Sequence, residues 1–184
     1  EIIKNKILNA NFKKDDTYKK ELKGRDLSRY NLEWNGKNWI SYGDWLAAPR
    51  KKEFFTEQRI LIREITNPRI LATITDEEYY NTPSIINIIR PKGVNFKYLL
   101  GLINSKLMTY YHINTSPKAN KGLFPKILVN DVRNLPIRIC DGEVYDELIN
   151  LVEKRLAEKD VVKMNDIDSK IDRVVYQIYG LSTE

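Results

Sequence analysis

The stretch RILIREITNPRILATIT, residues 59–75, decides the fold. Arg59 to Ile65 and Arg69 to Thr75 are two β-branched runs, and Thr66-Asn67-Pro68 between them is a turn-forming tripeptide, so the segment reads as a hairpin. Downstream, Ser84 to Arg90 is a further apolar run, closed by Pro91-Lys92-Gly93, which cannot continue a ladder. Asn95 then supplies a helix N-cap. After it Phe96, Leu99, Leu100, Ile103, Leu107, Tyr110 and Tyr111 recur at helical spacing, which predicts one helix over residues 95–112. Upstream, Trp39-Ile40-Ser41-Tyr42 alternates like a strand, and Leu22-Lys23-Gly24-Arg25-Asp26-Leu27 carries a turn between apolar residues. Residues 1–20 read as a lead-in segment.

Beyond the helix, Ser116-Pro117-Lys118-Ala119-Asn120-Lys121-Gly122 is a basic loop with no core-forming residue. Phe124 to Val129 follows, and Asn130 to Leu135 reads as a helical turn stopped at Pro136. Two apolar stripes then appear. Val144, Leu148, Leu151, Val152 and Leu156 form the first; Ile167, Ile171, Val174, Val175 and Ile178 form the second, with Gly180 as its C-cap. They predict a helical hairpin joined through Asp160 to Asp166. The expected architecture is α/β: a mixed, twisted sheet, a packed central helix and a C-terminal helical hairpin. Residues 1–139 form the expected body and 140–184 the hairpin.

With 42% hydrophobic and 30% charged residues over 184 positions, the chain can bury a core and matches neither a disordered nor a membrane composition. No apolar run approaches the ~20 residues that cross a bilayer. Cys140 has no partner for an internal disulfide, which fits a reducing compartment, and a cytoplasmic protein is expected. The chain opens at Glu1, as a domain cut from a longer protein would. Its net charge of +6 is unevenly spread. Residues 140–184 carry 11 of the 25 acids but 6 of the 31 bases, a net of −5, which leaves +11 on residues 1–139. A basic body with an acidic tail suggests one surface for a polyanion and another for a second partner.

None of the eight glycines forms a Gly-x-Gly, and no phosphate-cradling Gly-x-x-x-x-Gly-Lys occurs. One histidine, His112, and one cysteine do not make a zinc site of nitrogen and sulfur ligands. Asp76-Glu77-Glu78 with His112 would serve a metal-dependent nuclease, although a solvated turn between a strand and Tyr79-Tyr80 is the preferred reading of the acids. The remaining chemistry is positive charge among aromatics and amides. Arginine pairs with guanine, lysine neutralises phosphate, and asparagine pairs with adenine. Four clusters carry it: Lys23, Gly24 and Arg25 with Arg29 and Tyr30; Arg50-Lys51-Lys52; Arg59 and Arg63 with Asn67; and Lys118, Asn120 and Lys121. In the first, glycine would let backbone approach a phosphate. A basic module for an acidic protein or RNA is the remaining alternative, and Trp34, Trp39 and Trp45 read as core rather than as stacking platforms.

The order of motifs resembles the TaqI-like C-terminal specificity domain. The resemblance rests on Leu22-Lys23-Gly24-Arg25-Asp26-Leu27 with Tyr30, Arg59 to Thr66, Leu99 to Leu107, Phe124-Pro125-Lys126-Ile127, Asn134-Leu135-Pro136-Ile137 and Ile171 to Leu181. It implies the target-recognition module of bacterial adenine-specific DNA methyltransferases and of type IIG restriction enzymes. It further implies that the methyl-donor site and an Asn-Pro-Pro-aromatic motif lie in an upstream domain. Here Asn81-Thr82-Pro83-Ser84 is the nearest approach, and it lacks the second proline and the aromatic that would stack on a flipped adenine. The resemblance thus implies recognition of double-stranded DNA without a catalytic site in this chain. S-adenosylmethionine and magnesium are expected in the parent protein, with the acidic hairpin docked on its methyltransferase domain or subunit.

Overall fold

The computed structural model describes residues 8–66, 68–119 and 125–182. In chain order the strands are β1 (Asn9–Ala10), β2 (Tyr18–Leu22), β3 (Leu27–Ser28), β4 (Asn31–Leu32), β5 (Trp39–Ser41), β6 (Arg59–Arg63), β7 (Ala72–Thr75), β8 (Tyr80–Asn81) and β9 (Ile85–Ile89). The helices are α1 (Glu53–Thr56), α2 (Phe96–Asn104), α3 (Lys106–Thr115), α4 (Val129–Arg133), α5 (Glu143–Ala157) and α6 (Val161–Ile178). Strands and helices mix as expected for the class. The strands divide into three ladders: β1-β5-β2-β8, in which β2 and β8 run parallel, the ribbon β3-β4, and the antiparallel set β7-β6-β9.

The deciding stretch forms its hairpin, with Ile62 opposite Ala72 and Arg59 opposite Thr75. Strand β6 is central, and this explains its continuous apolar run. Ile60 and Ile62 enter the main core beneath α2, while Leu61 points the other way into a second cluster with Leu22, Leu27, Tyr79 and Ile85. Each fully buried aliphatic side chain contributes about 1.5–3 kcal/mol.

The predicted single helix over 95–112 is two helices. Asn95 caps α2 by accepting from the Lys97 amide, as expected, but Ser105 is extended (φ −67°, ψ 157°) and its hydroxyl caps α3 by accepting from the Met108 amide. Asn104, fully buried, turns its amide on the edge of β7, donating to the Ala72 carbonyl and accepting from the Ala72 amide, both at 2.9 Å. Side chains that compete for backbone groups in this way end helices, and apolar periodicity does not register the break.

The C-terminal helices form the expected hairpin, but α6 begins at Val161, with Asp160 as its N-cap, so the join is shorter than Asp160 to Asp166. Gly180 (φ +68°) closes α6, donating to the Gln177 carbonyl while Leu181 donates to that of Tyr176. Leu148, Val152, Ile171 and Val175 join the same core as α2 and β6. At the contact of α2 with α5, a Cβ on Gly101 would lie 2.9 Å from both Leu148 and Val152, so glycine sets how closely the helices approach.

Candidate nucleic-acid interface

After β2 the chain makes a tight 3-10 turn, Gly24–Asp26, before β3. Buried Asp26 holds it, accepting from the Lys23 amide at 2.7 Å. Lys23 and Arg25 are thereby set on the rim of a groove of about 370 Å³, whose lining also includes Gly24, Arg63, Ile65 and Ser84. Gly24 was expected to offer its backbone to phosphate. Its amide instead donates to the Ser84 hydroxyl at 3.1 Å, which ties the turn to the segment before β9.

The basic loop is anchored at the same end of β6. The Thr66 amide donates to the Pro125 carbonyl, the Ile127 amide to that of Glu64, and the Lys126 amide to that of Lys118. Lys126 also pairs with Glu64 at 3.2 Å. The described feet of the loop, Lys118 and Lys126, therefore stand beside Ile65, next to Arg63. Asn67, Asn120 and Lys121 lie outside the described residues. Three sequence-distant segments, at 23–25, 63–66 and 125–127, thus meet at one end of a strand, with Lys118 bonded to the third. Among the described residues Lys23, Arg25, Arg63 and Lys118 form no ion pair, so their charge is available to an external anion.

Other predicted residues lie elsewhere. Arg50, Lys51 and Lys52 are exposed, with the Arg50 backbone held by the Tyr42 hydroxyl. Tyr42 in turn bonds Thr17, at the start of β2, so this cluster and Lys23 occupy opposite ends of a strand about 16 Å long. Arg59 is corrected to an internal role. It is fully buried, donating to the carbonyls of Glu57, Glu77 and Tyr79 at 2.9, 3.1 and 3.0 Å. Burial lowers its guanidinium to about 10, which leaves it charged at neutral pH. Arg29 and Tyr30 are likewise corrected. Arg29 pairs with Asp168 of α6 at 2.9 Å, and the guanidinium groups of Arg29 and Arg155 lie 5.5 and 5.2 Å from the ring centre of buried Tyr30. Burial raises the Tyr30 hydroxyl well above its ordinary value.

The nuclease grouping does not assemble. His112 is buried, with its Nε2 unpartnered among the described residues, and burial lowers its pKa. Its helix bonds to Ile70 ahead of β7, whereas Asp76, Glu77 and Glu78 follow the far end of that strand. Among the described residues no three His, Cys, Asp or Glu side chains are placed to hold a metal, and no described helix is long and apolar enough to cross a membrane. Trp34 and Trp39 pack edge to face at 5.2 Å.

Sequence reading missed the lead-in. Residues 9–10 and 18–22 pair through β5 into a ladder, and the chain between them opens a second cleft adjoining Lys23. The lead-in segment Tyr18-Lys19-Lys20-Glu21-Leu22 has three consecutive polar residues and so no alternation to mark it as a strand.

A basic groove at a strand end, set by loops on a rigid ladder, is a placement that proteins use for functional residues. The family model of the TaqI-like C-terminal specificity domain matches residues 19–137, and the chain belongs to that family. It is also 28% identical over 187 residues, 97% of its own length, to a protein of Methanocaldococcus jannaschii whose name gives it as a type II restriction enzyme and methyltransferase. The chain spans 16% of that protein's length.

Proposed function

We propose that the chain is the target-recognition domain of a restriction-modification protein and docks on double-stranded DNA through the groove of Lys23, Arg25 and Arg63 and the foot of the Lys118 loop. The observation that carries this reading is the convergence of three segments at one end of β6 in a member of this family, where Lys23, Arg25, Arg63 and Lys118 form no ion pair among the described residues. Lysines there neutralise phosphates and supply affinity; a guanidinium reaching a base edge adds about 1–3 kcal/mol of discrimination. The parent protein in this reading is an adenine-specific methyltransferase or type IIG enzyme of the cytoplasm. Its other domains use S-adenosylmethionine and magnesium, and the C-terminal hairpin docks on the methyltransferase part through α5, whose Glu143, Asp146, Glu147 and Glu153 are exposed.

Fluorescence anisotropy with duplex DNA across a salt series tests the reading. The chain should bind at about 50 mM salt and weaken steeply toward about 200 mM. Replacing Lys23 by alanine should lower affinity for every duplex alike and reduce the log–log salt slope by about 1. Unchanged affinity and slope in a combined Lys23→Ala, Arg63→Ala variant would remove this groove from the DNA.

A further inference from the structure

The cleft on the lead-in side, about 550 Å³, has Asn9, Phe12, Lys14, Glu21, Lys37 and Asn38 among its lining residues and shares Lys23 with the basic groove. The two adjoin at Lys23. Lys14 and Lys37 form no ion pair among the described residues. Phe12, 59% exposed, stands at the rim.

Inside the cleft one arrangement is unusual for a surface. Glu21 is only 4% exposed, and its carboxylate accepts from Asn9 Nδ2 at 3.0 Å. Burial raises the Glu21 pKa, against the opposing effects of Lys23 and of the Asn9 hydrogen bond. Its backbone is fixed too, since the Glu21 amide donates to the Asn38 carbonyl at 2.9 Å. An ionised carboxylate only accepts hydrogen bonds, so it decides which way the Asn9 amide faces. The amide nitrogen must turn toward Glu21. That leaves Asn9 its second N–H and its Oδ1, which makes no hydrogen bond among the described residues, on an exposed residue at the cleft.

A neighbouring N–H and C=O on one amide match the N7 acceptor and N6 amino donor that adenine presents in the major groove. We infer that Asn9 reads an adenine of the DNA target, with Glu21 as the positioning residue that fixes the amide and Lys14 and Lys37 gripping the adjoining phosphates. This inference rests on the DNA-recognition reading above, and it adds a contact from residues ahead of the stretch matched by the family.

Selection from a library of random duplexes by the 184-residue chain tests it. The wild type should enrich a sequence with at least one fixed adenine. Asn9→Ala should lose the preference at one such position, by about ten-fold, and leave the preference at the other positions as in wild type, with a lowered melting temperature because the buried Glu21 carboxylate loses its donor. Glu21→Gln can still accept from Asn9 and so keeps β1 attached, but it no longer dictates the orientation of the amide. It should weaken preference at that same position and at no other, an effect that a merely structural role would not produce. Folded Asn9→Ala and Glu21→Gln variants that both retain the wild-type preference everywhere would overturn the inference while leaving recognition by the main groove intact. A wild-type chain that binds duplexes without enriching any sequence would overturn the recognition reading itself.

Discussion

Arginine serves opposite purposes at two places in this molecule. Against α6, Arg29 and Arg155 share the carboxylate of Asp168, each at 2.9 Å, and Arg69 bonds the Asn104 carbonyl at 2.8 Å beside Asp172. At the end of β6, Arg63 and Arg25 line an open groove with no carboxylate in reach among the described residues. The first set spends its charge inside the fold; the second keeps it for something outside. The acidic tail is therefore not only a surface for a partner, because two of its aspartates, Asp168 and Asp172, neutralise the body from within.

Removing the internal counter-ion should have the largest effect. Asp168→Ala strands two guanidinium groups in a nearly dry interface and should cost about 3–5 kcal/mol, measured by urea unfolding. A loss below about 1 kcal/mol would erase the contrast between the two regions. Arg59→Ala comes next, because it leaves the carbonyls of Glu57, Glu77 and Tyr79 without their donor; about 2–3 kcal/mol should be lost in the same assay.

A smaller effect should come from pH. Burial holds the His112 imidazole below its ordinary 6.5, so the unfolded chain takes up this proton before the folded one does. The contribution to stability is complete above that value and is lost as the pH falls through it. His112→Gln should flatten the dependence between about pH 7 and 5.5, a slope of at most about 1.4 kcal/mol per pH unit. The smallest change in stability belongs to the groove. Arg63→Ala should leave unfolding within about 0.5 kcal/mol of wild type, yet lower DNA affinity about ten-fold in anisotropy, and a large stability loss would move Arg63 into the internal set.

The hairpin over 59–75 and the paired C-terminal helices were legible because burial on one face imposes its period on the sequence. The break at Ser105 was not, since it depends on Asn104 finding the edge of β7, a partner more than thirty residues away. In the candidate site, Lys23, Arg25, Arg63 and Lys118 were named from chemistry alone, and so were Tyr30 and Arg59, which the fold buries, and Arg29, which it pairs with Asp168. Nothing local separates the two groups. Asn9 and Glu21 escaped notice because their pairing crosses a β-ladder whose first strand is two residues long.

The sequence by itself determined the family, the hairpin over 59–75, the paired C-terminal helices and the excess of positive charge on residues 1–139, all of which are written in residue order and periodicity. Which cations face outward was decided only by the tertiary structure. A charge is free or spent according to the acids and carbonyls that folding brings within hydrogen-bond distance, and those come from distant parts of the chain: Asp168 for Arg29, Tyr79 for Arg59, and none among the described residues for Arg63.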